Sequence, residues 1–359
     1  MIVKETCKLP KYPRRILLIQ LGDIGDVVLT MPAIRGLRER FPESTLAVAV
    51  RGKARQLIED CPWVDGVISV DTPKLSLWHA ISYQKRFISD LRKWGFDLAI
   101  ELRTGHRGAI LAFLSGAPCR IGRFADDGRL WRNRLFTHLV RPQPHEELAR
   151  YAAEHHFNIL SPLGAFPGNK IPQLYVPGKR IKKAEQIFRE ENMPPNCPVI
   201  AFHPFSLWKY KELEIQQCVL LIDYIQNTWG VGVMITGSPD ERARASQVVD
   251  RCRKPVVNLA GKTSIGELPA VLRGCRLFVG VDTAALHIAA AVGVPTVGIF
   301  GPSSPVSWAP RGEQHCIVSK NMPCVPCRQK GCQNSEKSRC LEALTFEEIA
   351  AAVDAQLRR

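Results

Sequence analysis

The stretch that most restricts what this chain can fold into runs from residue 278 to residue 303: Phe-Val-Gly-Val-Asp-Thr-Ala-Ala-Leu-His-Ile-Ala-Ala-Ala-Val-Gly-Val-Pro-Thr-Val-Gly-Ile-Phe-Gly-Pro-Ser. An apolar run ends at Asp282-Thr283, two residue types favoured at a helix N-cap because their side-chain oxygens accept from backbone N–H groups. An alanine-rich segment follows and stops at Gly293, with Pro295 beyond it. A second apolar run, Thr296 to Phe300, ends in Gly301-Pro302-Ser303. The order is strand, capped helix, strand, tight turn. In a parallel sheet both turns lie at the carboxyl edge, where ligands bind. The exposed N–H groups at a helix start suit a phosphate. The segment reads as a site for an anionic ligand, a nucleotide first among the candidates.

The same alternation runs through the rest of the chain. Arg14–Leu21 is a short continuous apolar run, as found in strands buried on both faces. A glycine-bearing turn follows, then a helix with Ile34, Leu37 and Phe41 on one face, then the run Leu46–Val50. Further strands are expected at Gly66–Val70, Asp97–Leu102 and Cys119–Gly122. From Ser161 to Pro177 the pattern gives way to Pro-Leu-Gly-Ala-Phe-Pro-Gly-Asn and Tyr-Val-Pro-Gly, a linker composition. A second series then places strands near Pro198–Phe202, Gly232–Thr236, Val256–Leu259, Arg276–Val281 and Thr296–Phe300. Such βαβ alternation predicts two Rossmann-like α/β domains facing each other across a cleft. They are expected over residues 1–165 and 178–340, with a terminal segment over 341–359. A length of 359 residues accommodates two such cores.

Composition narrows the class. The 45% hydrophobic and 23% charged residues are those of an ordinary globular protein. No uncharged apolar run reaches the roughly 18 residues a membrane span needs. The first residues carry an acid early and lack the apolar core of a secretory signal, so a cytoplasmic location is expected. The twelve cysteines are then expected as reduced thiols. Net charge is +15, and eight arginines fall from Arg103 to Arg141 against Asp126 and Asp127. That excess is either a solvated face or a surface for an acidic partner. Nucleic acid is not expected, because neither a basic-aromatic repeat nor zinc-finger spacing accompanies the arginines.

The first domain has a turn of its own, Leu21-Gly22-Asp23-Ile24-Gly25-Asp26-Val27, between the first strand and the first helix. Two glycines permit a tight turn and close approach of a ligand. The dinucleotide pattern Gly-x-Gly-x-x-Gly is absent, and carboxylates here would repel a pyrophosphate. Asp26 either accepts a proton from a hydroxyl or caps the helix, the latter worth about 1 kcal/mol.

These residues carry a resemblance. The run Ile-Leu-Leu-Ile-Gln-Leu-Gly-Asp-Ile-Gly-Asp-Val-Val-Leu-Thr-Met-Pro-Ala-Ile-Arg-Gly-Leu (16–37) is similar to the start of the ADP-heptose:lipopolysaccharide heptosyltransferases, glycosyltransferase family nine. The likeness continues through Phe-Asp-Leu-Ala-Ile-Glu-Leu-Arg from Phe96, Leu-Ser-Gly-Ala-Pro-Cys-Arg-Ile-Gly from Leu114, and Ile-Ala-Phe-His-Pro-Phe-Ser from Ile200. It ends with Thr-Gly-Ser-Pro-Asp-Glu from Thr236, Gly-Val-Asp-Thr-Ala-Ala-Leu-His from Gly280, and Phe-Gly-Pro-Ser from Phe300. The resemblance implies the GT-B fold, with a C-terminal helix, here Thr345–Leu357, packing back on the first domain.

It also implies roles. Asp26 corresponds to the family's proposed general base, beside Gly25. A lysine after the His-Pro turn meets the donor's phosphates; it aligns with Lys211, with Lys209 as a near alternative. Glu241 corresponds to an acid on the ribose hydroxyls. Asp282, Thr283, Ala284, Ala285, His287 and Gly301 fall in the donor-binding segment. Ala284 replaces a common glycine, and Leu213-Glu214 replaces the usual Trp-Pro. Arg103, His106 and Arg107 follow a first-domain strand and would contact acid groups of a lipid-linked acceptor, or form a basic rim that steers it. The implied reaction is inverting transfer from ADP-heptose to the lipopolysaccharide inner core, on an anionic acceptor, by an enzyme peripheral at the inner face of the inner membrane. The alternatives are a GT-B relative that uses another nucleotide sugar or acts on it without an acceptor, and a non-catalytic sugar-nucleotide-binding protein. No Asp-x-Asp metal motif stands out, so neither a metal nor a cofactor is expected there. Cys324-x2-Cys327-x4-Cys332-x7-Cys340, with Cys316 upstream, has spacing open to zinc, to an iron–sulfur centre, to a disulfide on air exposure, or to no metal at all.

Overall fold

The structure, a computed structural model, describes residues 1–71, 76–126, 130–141, 150–193 and 198–359. Asp127 and Arg129 of the arginine-rich stretch lie outside the described residues, as does Cys197. The chain divides into two compact units, Met1–Tyr175 and Val176–Arg359, and the break falls inside the expected linker.

In the first unit the strands are β1 (Ile2–Glu5), β2 (Arg15–Gln20), β3 (Thr45–Val50), β4 (Gly66–Ser69), β5 (Leu98–Glu101), β6 (Cys119–Arg123) and β7 (His138–Val140). They form one sheet in the order β1-β7-β6-β5-β2-β3-β4. Every pairing is parallel except β1 against β7. Helices α1 (Ile24–Arg40), α2 (Leu77–Lys93), α3 (His106–Leu114) and α4 (Ala152–Leu160) accompany the sheet. Leu17 and Ile19 of β2 pack with Ala47, Ala49 and Ala99 of its neighbours. Because β2 is covered on both faces, Ile16 to Ile19 are all buried, which explains the unbroken apolar run. Setting β1 aside, the parallel strands run outward from β2 in both directions, with the reversal between β2 and β5. That is a doubly wound Rossmann-type order with one switch point.

The second unit repeats this order. Its strands are β8 (Val199–His203), β9 (Gly232–Ile235), β10 (Val257–Asn258), β11 (Leu277–Val281), β12 (Thr296–Phe300) and β13 (His315–Ser319). The sheet is parallel throughout in the order β10-β9-β8-β11-β12-β13, so its switch point lies between β8 and β11. Helices α5 (Gly178–Glu190), α6 (Ile215–Trp229), α7 (Arg242–Val249), α8 (Leu268–Arg273), α9 (Ala284–Ala291) and α10 (Phe346–Leu357) belong to it.

The C-terminal helix contributes to the core of the second unit. Ile349, Val353 and Leu357 of α10 enter the second unit's own core. Tyr224 Oη and Trp229 Nε1 of α6 each donate to the Asp354 carboxylate at 2.8 Å. Arg276 Nη2 donates to the Leu357 carbonyl at 2.7 Å. Its apolar stripe is thus part of the second unit's core. Strands β1, β7 and β13 were not expected. β1 is exposed at three of its four positions, β7 has only three residues, and β13 is a half-buried edge strand. None of them has the apolar run that marks a central strand.

Candidate active site

In the first unit the carboxyl ends of β2 and β5 flank the switch point, and the chemistry collects there. β2 turns through Gly22 into α1, whose first turn carries Gly25 and Asp26. Asp26 Oδ2 accepts the Asp23 backbone N–H at 2.9 Å and Arg103 Nη1 at 2.6 Å. Among the described residues its Oδ1 has no hydrogen-bond partner. Capping and proton acceptance are therefore compatible, since one oxygen holds the turn and the other remains for a proton. Gly22 is dictated by close approach: an added Cβ would lie 2.3 Å from Asp26 Oδ2 and 2.6 Å from Arg103 Nη1.

The turn rests on a buried polar network. Gln20 Oε1 accepts the Gly22 N–H at 3.1 Å, and Gln20 Nε2 donates to Thr30 Oγ1 at 2.8 Å. Thr30 Oγ1 in turn donates to the Asp26 carbonyl at 2.7 Å. His156 Nε2 lies 3.4 Å from the same Gln20 nitrogen, and burial pushes this ring down to about 3, leaving it neutral.

Arg103 is positioned from beneath. Its N–H donates to Glu101 Oε1 at 3.2 Å, and its carbonyl accepts from Arg132 Nη2 at 2.7 Å. Arg132 is fully buried and pairs with Glu101 Oε2. Burial raises the Glu101 carboxyl to about 8, against the opposing pull of the Arg132 guanidinium. On the other flank, Asp23 meets Lys53 Nζ at 2.7 Å and Arg51 Nη1 at 3.2 Å. The hydrogen bond from Lys53 holds the Asp23 carboxyl below its ordinary range. His106 stacks on Trp131 with ring centroids 5.0 Å apart, and Arg107 lines a groove between α2 and α3. Of the three basic residues expected here, Arg103 alone is brought onto Asp26.

The second unit has its own cluster at the equivalent edge. Asp282, directly after β11, is buried and pairs with Lys211 Nζ at 2.6 Å. Thr283, not Asp282, is the N-cap residue of α9. Ala284 begins that helix half-buried, while Ala285 and His287 are buried. Lys209 instead pairs with Glu336 at 3.1 Å, both of them exposed. The loop carrying Lys211 is closed by Glu212, whose Oε1 accepts the Ser206 N–H at 2.9 Å and whose Oε2 meets Arg244 Nη1 at 2.5 Å. Glu241 Oε2 accepts the Ser238 N–H at 2.7 Å, at the end of β9. His203, at the end of β8, lies 2.9 Å from Thr236 Oγ1, and burial pushes its ring down to about 4. Gly301 follows β12, and an added Cβ there would lie 2.8 Å from the Leu341 side chain, so packing accounts for this glycine.

Two Rossmann-type units, each with an acid and a base paired at its switch point, set the frame for comparison. Residues 84–338 match the sequence profile of glycosyltransferase family 9 (heptosyltransferase). The chain belongs to this family. Its enzymatic class is accordingly that of a glycosyltransferase, of the GT-B fold. It is 28% identical over 291 residues to lipopolysaccharide heptosyltransferase 3 of Escherichia coli, covering 80% of this chain and 83% of the relative. Its fold is similar to that of a family 9 glycosyltransferase from Veillonella parvula (TM-score 0.82, 22% identity, 96% and 97% of the two chains). It is likewise similar to E. coli heptosyltransferase WaaC solved with ADP-2-deoxy-2-fluoro heptose (TM-score 0.69, 19% identity, 95% and 99%).

Several residues of this glycosyltransferase's two edges are not apparent from sequence. Arg51, Lys53, Glu101, Arg132, Glu212 and Arg244 all hold the recognised groups in place; Glu101 falls in the block from Phe96 without drawing attention to itself, and the other five stand in no glycine-rich turn. Cys324 is exposed, Cys327 and Cys332 are half-buried and Cys340 is buried, all as free thiols. Among the described residues no group of three or more His, Cys, Asp and Glu side chains is arranged to hold a metal ion. Nor, among them, is any helix long and apolar enough to cross a membrane.

Proposed function

We propose that this glycosyltransferase moves a heptosyl group from ADP-L-glycero-D-manno-heptose to the inner core of lipopolysaccharide, with inversion at the anomeric carbon. The observation that carries the reading is the Asp26 carboxylate, fixed through Oδ2 by Arg103 and by its own turn. Asp26 Oδ1 takes the proton of the acceptor hydroxyl as its oxygen bonds to the anomeric carbon. The bond from that carbon to the diphosphate breaks, and ADP leaves. Lys211 and the N–H groups at the start of α9 receive the charge that develops on the diphosphate. Asp282 keeps the Lys211 ammonium at the phosphate position, so no divalent ion is called on. Thr283, Ala284, Ala285, His287 and Gly301 line the donor, and Glu241 holds ribose hydroxyls. Transfer requires donor and acceptor to meet with water excluded.

The acceptor is an anionic, lipid-linked oligosaccharide bearing Kdo or heptose, presented at the cytoplasmic face of the inner membrane. Gly25 lets it approach Asp26, and Arg103, His106 and Arg107 meet its carboxylates and phosphates. The name of the E. coli relative and the ADP-heptose analogue bound to WaaC support this choice of donor and acceptor. A panel of nucleotide sugars offered with Kdo-bearing lipid A, read by product mass, tests it. The expected product is the acceptor heavier by one heptose, formed from ADP-heptose alone. Donor breakdown without an acceptor product, or transfer only from another nucleotide sugar, overturns the reading.

A further inference from the structure

The face formed by α2 and α3 is unusual for a soluble enzyme. Along α2, Trp78, Ile81, Lys85, Ile88 and Arg92 recur at steps of three and four residues and so share one stripe. Trp78 is 79% exposed and Ile81 is also exposed, and Leu91 alone among the helix's described side chains is fully buried. Beside the stripe runs a groove of about 200 Å³, lined by Tyr83, Phe87 and Ile88 of α2 and by Ile110, Leu111 and Leu114 of α3. Beyond it, Ile110 and Phe113 of α3 face solvent, as does Trp131, which stacks on His106. Exposed cations interleave with these apolar groups: Lys85, Arg86, Arg92 and Lys93 on α2, and Arg107 on α3. Asp90 is the sole acid on α2, and it already pairs with Lys93 at 2.6 Å. Large apolar groups mixed with Lys and Arg on one surface helix match the headgroup layer of an anionic bilayer, apolar below and negative above.

We propose that the α2–α3 face docks this enzyme on an anionic lipid surface. Trp78, Ile81 and Phe113 enter the acyl boundary, as interfacial aromatic and aliphatic residues do. Lys85, Arg86 and Arg92 meet lipid phosphates. The purpose of the face rests on the lipid-linked acceptor proposed above, because α3 also starts at the edge that carries Arg103. A bilayer, rather than a protein partner, is the occupant that the charge favours: the cations are spread along the helix, and among the described residues Lys93 alone of them forms an ion pair, with Asp90.

The test is co-sedimentation of the full chain with vesicles of phosphatidylcholine, with or without phosphatidylglycerol, and with no acceptor present. Binding is expected to the phosphatidylglycerol vesicles only, falling as salt rises. The variant Trp78→Ser, Lys85→Glu, Arg86→Glu is expected to bind at least about 10-fold more weakly, with unchanged thermal unfolding because these side chains are exposed. It should transfer to a soluble, delipidated acceptor as the parent does. Three results overturn the proposal: no vesicle binding by the parent, equal binding by the variant, or a variant that loses self-association while vesicle binding stays the same. Failure in vesicles leaves the sugar-transfer reading intact, whereas failure with the soluble acceptor strikes that reading instead.

Discussion

Lys209 and Lys211 stand two residues apart and could not be separated by their spacing from the His-Pro turn. The structure separates them by what they touch. Lys211 meets a buried carboxylate, Asp282, while Lys209 meets Glu336 in solvent. Exposed pairs contribute little, whereas removing one partner of a buried pair strands a charge. Replacing Lys211 by Met is expected to cost on the order of 3 kcal/mol in chemical unfolding. Donor KM should rise about 10-fold or more once the phosphate loses its cation. The same change at Lys209 should leave stability within about 0.5 kcal/mol of the parent. Equal effects at the two positions would refute the assignment. At this scale the residues legible in sequence were those in the turns, Asp26 and Asp282. Their partners Arg103 and Lys211 were named through the resemblance, but the groups that position those loops were not, because they pair across long stretches of chain. Arg132 reaches Glu101 from 31 positions away, and Arg244 reaches Glu212 from 32.

The turn from β2 into α1 is an element whose backbone and chemistry are inseparable. Gly22 leaves no room for a methyl beside the Asp26 carboxylate and the Arg103 guanidinium. Gly22→Ala is therefore expected to push that carboxylate aside and lower kcat about 100-fold, with the melting temperature little changed. Steady-state transfer rates check this, and a fully active Gly22→Ala enzyme would show that Asp26 need not be held where it is. The central strands of both sheets were readable because burial on two faces demands continuous apolar runs. Strands β1, β7 and β13 were not, since half-exposed or very short pairing segments leave no such trace. The α10 helix was expected through the family resemblance, and its first turn is closed by Thr345 Oγ1, which accepts the Glu348 N–H.

At the scale of the whole molecule, each unit keeps buried neutral histidines, and this sets how stability depends on pH. Burial pushes His156 down to about 3 and His203 and His315 down to about 4, from an ordinary value of 6.5. Their folded values lie below the unfolded one, so their contribution is complete above pH 6.5 and is lost as pH falls toward 4. For a fully buried ring the loss is on the order of 3 kcal/mol by pH 4. Glu101, raised by burial, acts in the opposite sense and can offset one histidine but not three. Melting temperature is expected to fall steeply between pH 6.5 and 4, and His156→Gln should flatten that limb for the first unit. A flat profile over this range would contradict the burial described. The two units also divide the proposed chemistry, with the proton acceptor in the first and the phosphate-binding groups in the second. That division is tested most directly by Asp26→Asn, measured for both heptosyl transfer and ADP binding. Transfer is expected to fall by about 10²- to 10⁴-fold with ADP affinity unchanged. Near-normal transfer by Asp26→Asn would show that the proton goes elsewhere.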